Sequence, residues 1–504
     1  MLNLLSSEQT RQADQFTIKI KRITSVDLME SAANAFVSVF KSSYLFPDVP
    51  ISIYCGTGNN GGDGLAIARL LKEQGYDRLS VKIAQFNRAC SEDFQINLQR
   101  LNLTGVAITE IAKANNIEIE DADVIIDALL GSGLNRPLEG EYKNLVERLN
   151  QLNKPIIAVD VPSGFPSEGL ISKSSTIIKA ELVISFQRPR INFFMPESAP
   201  FINRFRYVDI GLDEQYIESL TGYWKLLEPE DIRKIIKPRK PFSHKGTYGH
   251  ALIIAGAAET MGAAILAADA CLHSGAGLTT ACIPLEGLSA LNCAAPEIMA
   301  YIRTEGVEDP AIEFERFQSV AAGPGLGSGI AQTRFVNYIL GNVATNLVLD
   351  ADALNILSAH PDWISIIPPK TILTPHLKEF DRLFGVQKSW LERIEKGREI
   401  ASQHNLIIVL KNQYTFVILP DGNVLINPTG NPAMASGGMG DVLTGMIAGF
   451  LAQGYKPEEA ASAACYLHGK AGDLLKEKNG MNCVPARYLI KMLPEVIGSF
   501  LKIA

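Results

Sequence analysis

Two successive series of short, uninterrupted apolar runs set the limits on this fold. In the first, ISIYC (51–55), VKIAQF (81–86), DVIIDALL (123–130), PIIAVDV (155–161), LVISF (182–186) and FRYVDI (205–210) alternate with amphipathic stretches such as 64–74 and 142–152. In the second, HALIIAG (250–256), LTTACIP (278–284), SVAAGPGLG (319–327), LVLDADALN (347–355), TILTPH (371–376), LIIVLK (406–411) and FVILPDG (416–422) alternate with helical patterns at 262–274, 331–340, 390–403 and 441–453. A strand with one wet face alternates apolar and polar residues. A run that is apolar throughout is buried on both faces, which calls for helices on both sides of a mostly parallel sheet. Around 212–246 the pattern breaks: EPEDIRKIIKPRKPFSHKG is polar and basic and carries Pro229, Pro238 and Pro241, a boundary signal. The 504 residues are too many for one compact domain. The chain therefore reads as two α/β domains, with no sequence repeat between them.

A net charge of −7, with 47% hydrophobic and 20% charged residues, indicates a packed protein with no basic face for nucleic acid. The cysteines (Cys55, Cys90, Cys271, Cys282, Cys293, Cys465 and Cys483) are scattered, odd in number and without paired metal spacing, as reduced cytoplasmic thiols are. MLNLLSSEQTRQADQ turns polar too soon for a secretory signal, and no stretch reaches the roughly 18 apolar residues of a membrane span. A cytoplasmic protein without a membrane partner is expected, and a homo-oligomer.

After ISIYC comes GTGNNGGDG, residues 56–64. Gly56, Gly58 and Gly61 satisfy G-x-G-x-x-G, the fingerprint of a pyrophosphate at a helix N-terminus. The same glycines also suit a tight strand-to-helix turn that simply needs small residues. Asn59, Asn60 and Asp63 are more informative, because a carboxylate beside phosphates is repulsive unless a cation or a ribose hydroxyl joins it. Asp127, followed by LLGSG, and Asp160, in DVPSG, end two further strands. Ligands of open α/β sheets bind outside the carboxyl ends of strands. Asn60, Asp127 and Ser163 could converge there on one hard cation through oxygen. Taken singly, each carboxylate reads as a cap or turn residue.

The second Gly-rich element is NPTGNPAMASGGMGDVLTGMIAGFLAQG, residues 427–454. A Gly/Ala/Ser loop at 435–440 runs into a helix expected to begin at Asp441. Backbone N–H groups of such a loop form an anion hole at a positive helix end. An aspartate there can take the proton of a hydroxyl that attacks a phosphoryl group. The plainer alternative is an N-cap aspartate.

NNGGDG, GSGLNRP (131–137) and VDVPSG (159–164), with LMESAANA (28–35) upstream, resemble the NAD(P)H-hydrate epimerase family over residues 1–215. The resemblance implies a Rossmann-like three-layer sandwich. It implies that Asn59, Asn60, Gly61, Gly62 and Asp63 hold the hydrated cofactor. Gly131, Ser132, Gly133, Leu134, Asn135, Arg136 and Pro137 would contribute to the same site, as would Tyr142. Asp160 would carry acid/base chemistry near C6, and K⁺ would sit on Asn60, Asp127 and Ser163.

Gly438-Met439-Gly440-Asp441 resembles the anion-hole signature of ribokinase-like enzymes. HKGTYGHALIIAG (244–256), MGAAILAADACLHSGAGL (261–278), GPGLG (323–327), LDADALN (349–355), TPH with Glu379, and KNQYT (411–415) narrow it to the ADP/ATP-dependent NAD(P)H-hydrate dehydratases, over 226–504. Glu259-Thr260-Met261, ahead of Gly262, shows no strong pattern of that family, although Met261 opens the MGAAILAADACLHSGAGL block. This resemblance implies a ribokinase-like α/β domain in which Ala263, Gly325 and His376 line the hydrated nicotinamide. Lys411, Asn412, Gln413, Tyr414, Thr415 and Gly440 would contact the adenine nucleotide, and Asp441 would be the base. ADP, brought with Mg²⁺, is the implied donor, ATP the alternative. Without the resemblance, His376 reads as a loop histidine capping backbone and Lys411 as a snorkelling strand-end lysine.

Together the two resemblances imply repair of hydrated NADH and NADPH. R and S forms would be epimerised, and the S form dehydrated with release of phosphate and AMP. One rival is an NAD-dependent dehydrogenase, disfavoured because VKIAQF ends without an acidic residue for the ribose. Another is a ribokinase-class small-molecule kinase with an accessory nucleotide-binding domain. A third is a sensor that binds nucleotide without turnover.

Overall fold

The computed structural model describes residues 1–44, 46–86, 89–114, 120–133, 136–172, 174–303, 312–344 and 346–501. Leu134 and Asn135 lie outside the described residues. The chain divides into two compact units, Asn3–Gly222 and Tyr223–Ala504, the second also holding Met1–Leu2.

The first unit contains a seven-stranded sheet. In chain order its strands are Ile51–Cys55, Leu79–Ala84, Ala107–Ile111, Val124–Ala128, Ile156–Val159, Ala180–Phe186 and Ile202–Val208. In space they run third, second, first, fourth, fifth, sixth, seventh, and all pairs are parallel. Alternate side chains of a strand feed opposite layers. Ile51, Ile53 and Cys55 pack with Phe36, Phe40 and Leu65 of the helices Ser25–Ser43 and Asn59–Glu73. Tyr54 packs on the other side with Leu145 and Leu149 of the helix Gly140–Gln151. Strand order reverses between Ile51–Cys55 and Val124–Ala128, so the crevice for a ligand opens at their carboxyl ends. The edge strand Ala107–Ile111 escaped the sequence reading because AITEI is largely solvent-facing and lacks an apolar run.

The second unit carries an eleven-stranded sheet. From the strand Trp224–Leu226 the neighbours are Val424–Asn427, Thr415–Ile418, Ile407–Leu410, Ile372–Leu373, Leu347–Leu349, Ser319–Ala322, His250–Ile254, Leu278–Pro284 and Met299–Arg303. The strands from Ile407–Leu410 to Met299–Arg303 are parallel. Among these ten strands, the hairpin strand Thr415–Ile418 alone runs antiparallel to its neighbours.

The Gly-rich helix begins at Met439, not at Asp441 as expected from the sequence. Its N-cap is Gly438 at φ 89°, a left-handed conformation that glycine enters without a Cβ clash. The helix Met439–Ala452 is buried almost throughout and lies against the helix Met261–His273. A Cβ on Gly445 would stand 1.9 Å from the Ala267 carbonyl oxygen, so this glycine sets the interhelical distance. Gly445→Ala is expected to destabilise the second unit by about 3 kcal/mol, because a backbone oxygen cannot swing aside. A fall in the urea midpoint of that unit at unchanged slope checks it. No helix among the described residues is long and apolar enough to cross a membrane.

Candidate active sites

In the first unit the carboxyl ends of the strands border a cleft of about 790 Å³. Its walls include Asn59, Asn60, Asp63, Gly131, Ser132, Gly133 and Asp160 of the sequence-derived set. Gly61, Gly62, Arg136, Pro137 and Tyr142 are not among its lining residues. Gly61 and Gly62 are buried within the helix Asn59–Glu73, whereas Tyr142 sets its ring edge-on to Phe86 and its hydroxyl 3.5 Å from the Ala84 carbonyl. The glycine fingerprint is mostly a packing device. A Cβ on Gly56 would meet the Leu129 oxygen at 2.0 Å, and one on Gly61 the Gly56 oxygen at 1.8 Å.

Asp160 follows the strand Ile156–Val159 at φ 64°, a strained backbone for an aspartate. The Arg190 Nη2 donates to both of its oxygens, at 2.6 and 2.8 Å, and the Ser185 hydroxyl and Phe186 N–H donate to Oδ1 at 3.2 Å each. Asp127 is fully buried. Its carboxylate accepts from the Ser163 hydroxyl at 2.6 Å, the Ser163 N–H at 2.8 Å and the Leu129 N–H at 3.2 Å. It makes no ion pair among the described residues. Burial pushes it up to about 6 against those hydrogen bonds. Asn60 packs against the same turn, and a Cβ on Gly131 would lie 3.2 Å from its own. Asn60 and Ser163 thus both border the turn that follows the strand Val124–Ala128. A buried carboxylate without a cationic side chain, with these oxygens near the same turn, suits a hard cation.

Sequence reasoning missed Asp14 and Arg190, which also face the cleft. Burial pushes Asp14 up to about 6, with Arg190 opposing and Asp160 adding to the rise. Asp63 is driven well above the carboxylate range by burial and by the neighbouring Asp160, Asp14 and Asp93.

In the second unit a pocket of about 280 Å³ is lined by Lys411, Asn412, Gln413, Thr415 and Gly440, but not by Tyr414. Lys411 is no snorkelling lysine: its Nζ donates at 2.8 Å to Asp350, which is 1% exposed. The Thr444 hydroxyl donates to the other oxygen of Asp350 at 2.7 Å. Burial works against the Lys411 ammonium, but Asp350 and Glu379 outweigh it and hold its pKa above the ordinary lysine value. The pair lies against Gly440, since a Cβ there would stand 3.4 Å from Lys411 Nζ and 3.8 Å from Asp350 Oδ2.

Asp441, in the first turn of the helix, does not cap it. Its carboxyl has no hydrogen bond among the described residues, and burial pushes it up to about 6, aided by Asp350 and Asp352 and opposed by Lys411. His376 does cap backbone, accepting on Nδ1 from Lys378 N–H at 3.0 Å and Glu379 N–H at 3.3 Å, and it bridges to Lys411 in register. Ala263 and Gly325 adjoin each other, with a Gly325 Cβ position 3.0 Å from that of Ala263. Asp350, Thr444 and His468 were missed. His468, which lines the same pocket as Lys411 and Gly440, places Nε2 3.1 Å from the Met439 carbonyl, and burial lowers it to about 4.

Known proteins match both halves. A family model described as NAD(P)H-hydrate dehydratase matches residues 251–495, and one described as YjeF-related protein N-terminus matches residues 25–191. The chain is 32% identical to the bifunctional NAD(P)H-hydrate repair enzyme Nnr of Moorella thermoacetica, over 98% of this chain and 96% of that one. It is 31% identical to the Escherichia coli enzyme of the same name, over 98% and 93%. Among solved structures, the ADP/ATP-dependent NAD(P)H-hydrate dehydratase of Bacillus subtilis, co-crystallized with ATP/Mg²⁺, superposes with a TM-score of 0.50 at 33% identity, covering 55% of this chain and 98% of its own. A ribokinase-like superfamily protein from Enterococcus faecalis gives a TM-score of 0.51 at 28% identity, over 56% and 98%. With relatives matched from end to end and a family model on each half, the chain belongs to the family of bifunctional NAD(P)H-hydrate repair enzymes.

Proposed function

We propose that the two units divide the repair of hydrated NAD(P)H, residues 1–215 interconverting its R and S forms and residues 226–504 dehydrating the S form. The observation that carries the reading is Asp441, uncapped and unpaired beside the Lys411–Asp350 pair at a glycine-lined helix N-terminus. Hydroxide at C6 is a poor leaving group; phosphate is a good one. Asp441 takes the proton of the C6 hydroxyl, whose oxygen attacks the terminal phosphoryl group of the nucleotide. AMP leaves if ADP is the donor. The ring nitrogen lone pair then expels phosphate from C6, and loss of a C5 proton restores the dihydronicotinamide. Lys411 and the backbone N–H groups at Gly440 would hold the phosphates. Mg²⁺ would come with the nucleotide, held mainly through its phosphates.

In the first unit Asp160 serves acid/base chemistry at C6. Asn60, Asp127 and Ser163 would hold K⁺, which supplies positive charge beside the cofactor phosphates. ADP is the donor we favour.

The test is to incubate hydrated NADH with ADP or ATP and Mg²⁺ and to follow reduced-nicotinamide absorbance. Restored absorbance with free phosphate is expected; a phosphorylated product that accumulates would leave the kinase reading in its place. In the same assay, exchanging K⁺ for Na⁺ is expected to slow consumption of the R form about tenfold. Asp127→Ala should be slow in both salts.

A further inference from the structure

We infer that Asp14 is a second acid–base group of the epimerase cleft, acting with Asp160 on the C6 hydroxyl of hydrated NAD(P)H. The inference rests on the epimerase reading of that cleft. Asp14 lies on the helix Ser7–Lys21, ahead of the residues 25–191 matched by the family model. Thr10 and Asp14 are one turn apart and share a helix face. Arg190 ties that face to the site, its Nη1 donating to Thr10 Oγ1 at 3.0 Å while its Nη2 holds Asp160. Asp14 lines the cleft, yet its carboxyl makes no hydrogen bond or ion pair among the described residues. Asp160, by contrast, is clamped by Arg190.

A second observation points to a ligand at the same place. Asn60, 9% exposed, lines the cleft with its Nδ2 buried and unpartnered. Arg190, 3% exposed, likewise leaves Nε without a partner. The cleft thus offers donors without acceptors and a carboxyl without a partner, which suits a polar ligand that carries a hydroxyl. Asp63, the other unpaired carboxyl, belongs to the glycine turn already proposed to bind substrate.

The chemistry calls for two groups. C6 is bonded to the ring nitrogen, so its hydroxyl can depart as the nitrogen lone pair forms an N1=C6 iminium. The C6–O bond breaks and a carboxyl proton passes to the oxygen, releasing water. Water then adds to the opposite face of the flattened ring, forming a new C6–O bond and giving its proton to a carboxylate on that face. One fixed carboxyl cannot serve both faces; two can, and they exchange roles in the reverse direction. Burial pushes the Asp14 carboxyl up to about 6, with Arg190 opposing and Asp160 adding to the rise; Arg190, Asp160, Asp63, Arg11 and Asp93 are the charged side chains that line the cleft with it.

The test measures R-to-S interconversion of hydrated NADH by full-length wild type, Asp14→Asn and Asp14→Glu, with a thermal melt of each. Asp14→Asn is expected to lose at least about 100-fold in kcat with KM within threefold. Asp14→Glu should keep about a tenth of wild-type kcat. An asparagine variant within fivefold of wild-type kcat overturns the role. If Asp14→Asn does not fold, a folded Asp14→Glu below about a hundredth of wild type overturns it. A wild-type protein that does not interconvert the epimers would instead refute the epimerase reading itself.

Discussion

Asp441→Asn is expected to slow nucleotide-dependent dehydration by about 10³-fold while R/S interconversion stays within twofold of wild type. The substitution keeps the size of the side chain and removes only its capacity to accept a proton. Among the described residues it caps nothing and makes no hydrogen bond, so none of those contacts is lost with it. The wild-type pH profile should carry the same signature. Burial, with Asp350 and Asp352 nearby, pushes the Asp441 carboxyl up to about 6, and the ionised form is the base. kcat/KM for dehydration should therefore fall as pH drops through about 6, and Asp441→Asn should lose that limb. The sign for stability is opposite. The folded carboxyl keeps its proton to about pH 6 and the unfolded one releases it near the ordinary 3.8, so the native state binds more protons in between. Ionised Asp441 opposes folding above about pH 6, and that penalty disappears as pH falls toward 4. At neutral pH the asparagine variant should thus melt no lower than wild type. A variant that melts several degrees lower, or that loses both activities while folded, would show a structural role instead.

Much of this was legible in the sequence because buried parallel strands write themselves as apolar runs. Ile51–Cys55 and Leu278–Pro284 begin and end where the runs do. Asp127 and Asp160, at strand ends, and Asp441, at a helix start, stood out in the sequence by the glycines and prolines around them. The edge strands Ala107–Ile111 and Met299–Arg303 were silent because solvent on one side leaves mixed patterns. Asp14 and Asp350 were silent for a different reason. A lone aspartate in an amphipathic helix, or before one, looks like a solvated or capping residue. Only tertiary folding brings Asp14 to Arg190 and Asp160, or Asp350 under Lys411 and Thr444. For Gly56 and Gly61 the plainer of the two sequence readings, a tight turn that needs small residues, is what the packing uses: each answers a backbone oxygen within 2.0 Å of its missing Cβ, as does Gly445 in the second unit.

Asp160→Asn should reverse the pattern of Asp441→Asn: with mixed epimers and nucleotide, the S form is consumed at the wild-type rate and the R form remains. Asparagine is the informative replacement because residue 160 sits at φ 64°, where asparagine is tolerated better than alanine. The Ser185 and Phe186 donors can still find its carbonyl oxygen. The Arg190 guanidinium, 3% exposed, loses its charge partner, and breaking one half of a buried ion pair costs about 3–5 kcal/mol. The first unit should therefore melt lower, even though the second unit's dehydration is unaffected. Loss of stability alone could mimic loss of catalysis, and Arg190→Met separates the two. That variant leaves Asp160 in place but without its clamp. If epimerisation falls in proportion to the melting temperature in both variants, Asp160 is only a structural anchor. If Asp160→Asn loses about 10³-fold in kcat below its melting transition while Arg190→Met keeps measurable turnover, the carboxylate itself handles the proton.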